Sequence, residues 1–99
     1  MMKEITAKEV ESLIKERNAL NIIDVREVDE VAEGKIPNAV NIPIGAVESR
    51  MHELDKSKEY IMVCRSGARS GSATEFLESQ GYHAINMQGG MLAWEADVE

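Results

Sequence analysis

The chain has 99 residues, of which 43% are hydrophobic and 29% charged, and its formal net charge is −7. This length fits one modest core and predicts a single domain over residues 1–99. The negative charge disfavours binding to nucleic acid or to an anionic membrane surface. No apolar run reaches the roughly 18 residues of a membrane span, and the start lacks the apolar stretch of a signal peptide. We therefore expect a cytoplasmic protein with no nucleic-acid or membrane partner.

Alternating strand and helix patterns run through the chain. Short runs rich in β-branched or apolar residues predict strands, and apolar residues at helical spacing predict helices. The predicted strands lie near Ile5 and at residues 21–25, 39–42, 60–63 and 83–87. The predicted helices occupy residues 7–17, 27–33, 47–54, 70–80 and 92–95. This alternation favours a three-layer α/β domain with a mainly parallel sheet of about five strands and helices on both faces.

A single cysteine, Cys64, follows the strand pattern at 60–63. Parallel sheets bind ligands beyond the carboxyl ends of their strands, so Cys64 lies where a functional residue is expected. One cysteine cannot form an internal disulfide, a Cys-x-x-Cys redox pair or a multi-cysteine metal site. The two histidines, His52 and His83, have no flanking carboxylate at ligand spacing. No metal site is therefore predicted.

The segment from Cys64 to Ser70 has the composition of an anion-binding loop. It contains Gly67 and two arginines, Arg65 and Arg69, and a helix is predicted to begin directly after the second arginine. Gly67 lets the backbone turn inward, so that N–H groups of the loop and of the first helical turn converge on one point. Such a cradle suits a thiolate or an oxyanion.

A nucleophilic role for Cys64 requires a lowered pKa. An ordinary cysteine is only about 3% ionised at pH 7, and a helix terminus alone lowers the pKa by about one unit or less. We expect Arg65, Arg69 and the loop N–H groups together to bring it below about 7. The alternative is that Cys64 only fills the core, as most free cysteines do. A core cysteine, however, needs neither the arginines nor the glycine that follow it.

The segment Cys64–Ser70 resembles the active-site loop of single-domain rhodaneses. Three further segments resemble that family's Asp-x-Arg, Gly-His-Ile-Pro-Gly-Ala and Gly-Gly-x-x-x-Trp elements, in the family's order: residues 23–27, 33–39 and 86–94. The resemblance covers roughly residues 5–95. In the second element Lys35 replaces the usual histidine and Asn38 the usual glycine. Asparagine tolerates left-handed backbone angles, so we expect this turn to survive.

The resemblance implies a thiosulfate sulfurtransferase (rhodanese) that needs no cofactor and no metal. Its catalytic residue would be Cys64, which carries a sulfane sulfur as a persulfide. The donor would be a small anion such as thiosulfate, or a persulfide or polysulfide, and the acceptor would be cyanide or a thiol, including a protein thiol. The implied substrate-binding residues are Arg65, Ser66, Gly67, Ala68, Arg69 and Ser70.

The arginines and one acidic residue near the loop have two interpretations each. For the sulfonate of the donor, Arg69 is favoured over Arg65, because a guanidinium fork suits an oxyanion. Either arginine could instead form a surface ion pair in this acidic chain. Asp24 and Arg26, at the end of the neighbouring strand, are interpreted as supporting residues that form a structural ion pair or cap rather than as catalytic groups.

Two other functions stay open. A rhodanese-fold module that carries sulfur or binds a partner without turnover would have the same sequence. A cysteine-based phosphatase or arsenate reductase uses Cys-x5-Arg spacing, whereas Arg69 stands at Cys-x4-Arg, which makes the cradle one residue shorter. Sulfur transfer is favoured because the chain retains both the nucleophile and the basic loop, and it has no obvious aspartic general acid in a loop motif.

Overall fold

In the part of the chain that the structure describes, five parallel strands form one central sheet. The computed structural model describes residues 2–16 and 19–99. The strands are β1 (Glu4–Thr6), β2 (Asn21–Asp24), β3 (Val40–Asn41), β4 (Glu59–Val63) and β5 (His83–Gln88). Their order across the sheet is β1-β5-β4-β2-β3, so β4 lies in the middle. Its register pairs Met62 with Ile23 on β2 and with Asn86 on β5.

Within the described residues, four helices and three 3₁₀ turns connect these strands. The helices are α1 (Ala7–Lys15), α2 (Val28–Ala32), α3 (Val47–Arg50) and α4 (Ala68–Ser79), and the 3₁₀ turns are Ile44–Ala46, Met51–Glu53 and Gly90–Ala93. The predicted capping box of α1 is confirmed: the Thr6 hydroxyl accepts a hydrogen bond from the Glu9 N–H, and the Glu9 carboxylate accepts one from the Thr6 N–H. These two bonds satisfy N–H groups that have no partner within the helix.

The hydrophobic core is divided between the two faces of the sheet. One cluster packs beneath α3 and α4 and includes Ile23, Met62, Val47, Ala73 and Leu77. The other packs beneath α1 and includes Val10, Ile22, Ile61, Val63 and Met87. Alternate residues of β2 and β4 thus enter opposite clusters, as a sheet covered on both faces requires. Each fully buried aliphatic side chain contributes roughly 1.5–3 kcal/mol to folding. With a core on each face of the sheet, the predicted three-layer α/β architecture is confirmed.

Element boundaries differ from the prediction in two places that matter for the site. Helix α4 begins at Ala68 rather than after Arg69, because Gly67 takes a left-handed φ of 101° and starts the helix two residues early. Arg69 therefore lies in the first turn of α4. The last helical turn is a 3₁₀ turn at 90–93 rather than at 92–95, because Gly89 and Gly90 both have positive φ and turn the chain immediately after β5.

Other boundaries are shorter than predicted. The segment predicted as a helix at 47–54 is α in its first turn only and ends in the 3₁₀ turn Met51–Glu53. Strand β3 keeps two of the four predicted residues. Helix α1 ends at Lys15, and the predicted end at residue 17 falls outside the described residues. Among residues 2–16 and 19–99, no helix is long and apolar enough to cross a membrane.

Candidate active site

Cys64 lies at the carboxyl end of the central strand. It follows Val63, the last residue of β4, and its side chain is fully buried, with 0% exposure. The neighbouring strands β2 and β5 reach the same edge of the sheet. The loop after β4 and the turn after β5 therefore meet at this edge, where parallel sheets bind their ligands.

Hydrogen bonds from the loop and from α4 converge on the Cys64 sulfur. The Gly67 N–H donates to Sγ over 3.0 Å, and the Ser70 hydroxyl lies 3.2 Å from Sγ. Burial of the thiol raises the pKa of Cys64, but bonds from the Ser70 hydroxyl and from the N–H groups of Ser70, Gly67 and Ser66 outweigh it and leave the pKa below its ordinary value. The site thus favours the nucleophilic form of cysteine.

The outer side of the loop is bonded to the 3₁₀ turn that follows β5. The Met91 N–H donates to the Cys64 carbonyl over 2.9 Å, and the Leu92 N–H donates to the Arg65 carbonyl over 3.0 Å. A Cβ atom at Gly90, whose φ is 55°, would collide with these same two carbonyl oxygens. Because the carbonyls of Cys64 and Arg65 are held on this outer side, the N–H groups of the following residues are free to face the sulfur.

The two loop arginines have different surroundings. Arg69 makes a two-pronged ion pair with Glu30 of α2, with nitrogen–oxygen distances of 2.7 and 2.8 Å. The Arg69 guanidinium lowers the pKa of Glu30 to about 2, and the carboxylate raises the pKa of Arg69. Arg65 is exposed, and its side chain has no hydrogen bond or ion pair within the described part of the chain.

This arrangement modifies the expectation for Cys64. The bonds that lower its pKa come from a hydroxyl and backbone N–H groups, whereas the loop sequence predicts a contribution from Arg65 and Arg69 as well. The Arg69 charge is already met by Glu30, although it still lies close enough to Cys64 for a thiolate to raise the Arg69 pKa. Of the two interpretations of Arg69, this structure therefore has the ion pair with an acidic residue.

Asp24 and Arg26 form a buried ion pair beside the loop. The Arg26 Nη2 lies 2.7 Å from Asp24 Oδ2, and the Arg26 N–H also donates to Asp24 Oδ1 over 3.0 Å. Arg26 further donates to the carbonyl of Glu30, in the middle of α2, and to that of Gly34, just after the helix. The pair thus attaches α2 to β2 and so determines where Glu30 meets Arg69.

Two residues outside the set predicted from the sequence are part of this site. Glu30 is the partner of Arg69, and nothing in the local sequence distinguishes it from the acidic residues in and beside α2. Asn86, on β5, accepts a 2.6 Å hydrogen bond from the Ser70 hydroxyl through Oδ1. A polar residue in the middle of a predicted buried strand was the signal that could have found Asn86.

The two departures from the rhodanese pattern lie in the turn after α2. Asn38 has a left-handed φ of 70°, so the expectation that asparagine preserves this turn is confirmed. Lys35 forms an ion pair with Glu99, whose carboxylate also accepts a bond from the Asn38 N–H. Neither residue contacts the Cys64 loop. Across the described ranges, no group of histidine, cysteine, aspartate and glutamate residues could hold a metal ion.

Comparison with known proteins agrees with this geometry. Residues 6–97 match the rhodanese-like domain family. "Putative sulfurtransferase YtwF" of Bacillus subtilis is 45% identical over 98 residues, covering 99% of this chain and 95% of that protein. A protein named "Sulfurtransferase" from Allochromatium vinosum is 35% identical over 95 residues, covering 95% and 89%.

A solved structure shows the same architecture. The crystal structure of a rhodanese-like domain protein from Staphylococcus aureus superposes with a TM-score of 0.94 at 38% identity, covering 99% of this chain and 97% of that one. The five-stranded parallel sheet, the cysteine loop at its carboxyl edge and these matches over nearly the whole length lead to one conclusion. The chain belongs to the rhodanese-like family, and the two relatives described above are named sulfurtransferases.

Proposed function

We propose that this protein is a cytoplasmic sulfurtransferase that moves a sulfane sulfur from thiosulfate, or from a persulfide or polysulfide, to cyanide or a thiol. The observation that carries the proposal is the hydrogen-bonded sulfur of Cys64. Its Sγ meets the Gly67 N–H at 3.0 Å and the Ser70 hydroxyl at 3.2 Å, in a loop that keeps its N–H groups on the inside. A free, reactive thiol is suited to a reducing compartment.

The reaction has two displacements at sulfur. The Cys64 thiolate attacks the outer sulfur of thiosulfate, a new S–S bond forms, the S–S bond of the donor breaks, and sulfite leaves with the electron pair. The persulfide anion on Cys64 is then attacked at its outer sulfur by cyanide or a thiolate, which releases the original thiolate. Since the chain has one cysteine, the second step must be intermolecular.

Access to the sulfur requires a local opening. Cys64 has no exposed surface in the resting structure, so a donor reaches Sγ only when neighbouring side chains move. The side chains of Arg69 and Glu30 are about a third exposed and join α4 to α2 beside the loop. The carboxylate of Glu30 already occupies the guanidinium of Arg69. We therefore propose that Arg65 makes the first contact with an anionic donor, although the sequence favours Arg69 for this contact.

Intact mass spectrometry tests the proposed function. Protein incubated with thiosulfate or polysulfide should gain one sulfur atom, lose it on addition of cyanide, and release thiocyanate in proportion. The Cys64→Ser variant should show none of these changes. No mass gain with any of these donors, despite alkylation of Cys64 at neutral pH, would contradict sulfur transfer, and hydrolysis of an aryl phosphate would then favour the phosphatase alternative.

Steady-state kinetics separate turnover from carriage and assign the arginines. Saturable turnover with a small thiol or cyanide supports an enzyme, whereas loading without turnover supports a carrier that delivers to a protein thiol. Arg65→Ala should lower kcat/KM for thiosulfate by about tenfold, the effect of one charge-assisted contact. Arg69→Ala should have a smaller effect. The matched control is Arg50→Ala, which removes the guanidinium at the end of α3 that pairs with Glu53.

A further inference from the structure

The hydroxyl of Ser70 has two acceptors and one proton. It is fully buried, 3.2 Å from Cys64 Sγ and 2.6 Å from Asn86 Oδ1. A hydroxyl group donates a single hydrogen bond at a time, although it can accept two. Both contacts can therefore be satisfied only when one partner accepts the Ser70 proton and the other donates to the Ser70 oxygen.

The orientation of the Asn86 amide is determined by its surroundings. Its Nδ2 faces the Gly67 carbonyl at 3.2 Å and the Glu4 carboxylate at 3.3 Å, both of which only accept hydrogen bonds. Rotating the amide would place Oδ1 against these two acceptors. Oδ1 consequently faces Ser70 as an acceptor, and the side chain is 3% exposed, so that bulk water does not substitute for the hydroxyl.

The charge of Cys64 determines which arrangement is satisfied. A Cys64 thiol donates its proton to the Ser70 oxygen, and the Ser70 hydroxyl donates to Asn86. A Cys64 thiolate has no proton and can only accept. It keeps the bond from the Gly67 N–H and attracts the Ser70 hydroxyl as a further donor, and a hydroxyl that turns to Sγ leaves Asn86 Oδ1 without one. We propose that Asn86 is a positioning residue that competes with Cys64 for the single hydroxyl proton of Ser70.

This competition has a consequence for sulfur transfer. Of the whole inference, only this consequence rests on the proposed function. In a Cys64 persulfide the negative charge lies on the outer sulfur, and Sγ no longer needs a strong donor. The Ser70 hydroxyl can then return to Asn86 Oδ1. Asn86 thereby destabilises the free Cys64 thiolate more than the Cys64 persulfide. This difference favours the loading of sulfur onto Cys64 over its removal.

Charged groups on each neighbouring element surround this chain of hydrogen bonds. Glu4 of β1 lies at its far end, and Arg69 of α4, held by Glu30, lies on the Cys64 side. The Asp24–Arg26 pair of the β2 end is neutral as a unit, and Arg65 is exposed to solvent. Glu4→Gln removes the charge at the far end while it preserves the shape, and it is the control for a purely electrostatic effect.

The pH dependence of Cys64 alkylation by iodoacetamide tests the proposal. Asn86→Leu removes the competing acceptor at similar size, and the apparent pKa of Cys64 should fall by about one unit, while Ser70→Ala should raise it by a similar amount. In a Ser70→Ala background, Asn86→Leu should have no effect on this pKa. Asn86→Leu also removes the bond to Gly67. A pKa change caused by that loss would not depend on Ser70, so it would appear in the double variant as well and can be told apart from the competition. An unchanged or raised pKa in Asn86→Leu, or the same shift in both backgrounds, would overturn the proposal.

A second measurement uses the native chain and does not depend on the variants folding. The side-chain carbonyl carbon of Asn86 should change its NMR chemical shift with the same midpoint as Cys64 alkylation, because it loses the Ser70 donor as the thiolate forms. An Asn86 signal that stays constant through the Cys64 titration would refute the competition. Neither experiment uses a sulfur donor, so either can succeed or fail independently of the proposed sulfur transfer.

Discussion

Replacement of Glu30 by glutamine tests the ion pair that joins α2 to α4. Hydrogen bonds from the Arg69 guanidinium and from the Glu27 N–H hold the pKa of Glu30 at about 2, against an ordinary value of 4.5. Without screening, such a difference would stabilise the folded protein by about 3 kcal/mol at neutral pH. The two side chains are 28% and 35% exposed, and solvent screening reduces the expected loss to about 1 kcal/mol. Glutamine keeps an oxygen that can accept the Glu27 N–H at the start of α2.

The pH dependence gives this prediction its sign. A lowered carboxyl pKa contributes stability that is complete above the unfolded pKa and is lost as pH falls through the folded pKa. Urea unfolding should therefore show Glu30→Gln less stable than the native chain at pH 7, with a difference that narrows between about pH 4.5 and pH 2. Glu33→Gln, on the exposed end of the same segment, is the control. Equal stability at pH 7, or a loss that does not diminish at pH 3, would refute the reasoning.

Three further substitutions test other parts of the fold by urea unfolding. Gly90→Ala should cost about 2–4 kcal/mol and abolish sulfur loading, because the new methyl group collides with the loop carbonyls, whereas Gly45→Ala, which meets no atom within 4 Å, should be near neutral. Arg26→Met leaves a buried carboxylate without its partner and should cost about 3–5 kcal/mol, whereas loss of the exposed Arg50 pair should be hard to detect; similar losses in the two would contradict the assigned burial. Thr6→Ala removes the α1 cap and should cost about 1 kcal/mol, and no change would show that the cap contributes little.

The features that the sequence predicts correctly are those that depend on residues close together along the chain. The alternation of strands and helices was predicted because apolar periodicity and capping residues are local signals, as the box at Thr6 and Glu9 shows. The position of Cys64 at the end of β4 followed from one apolar run. Boundaries were less accurate where backbone geometry overrides pattern, and Gly67 is the clearest case, since its positive φ starts α4 at Ala68.

The contacts that complete the candidate site depend on tertiary packing. Glu30 and Arg69 are 39 positions apart and meet only because α2 packs beside the start of α4. Ser70 and Asn86 are 16 positions apart and lie on different elements. Composition could indicate that Arg69 would find a carboxylate in an acidic chain, but it could not indicate which one. Asn86 could be suspected from its polarity within β5, whereas its partner could not.

The attachment of the Cys64 loop to the turn after β5 has a consequence for the order of folding. Strand β5 lies between β1 and β4, so β1 cannot join the other three strands until residues 83–88 are in place. The bonds from Met91 and Leu92 then orient the loop. We therefore expect a chain still being synthesised, with these residues within the ribosome, to lack the ordered loop that lowers the pKa of the Cys64 thiol.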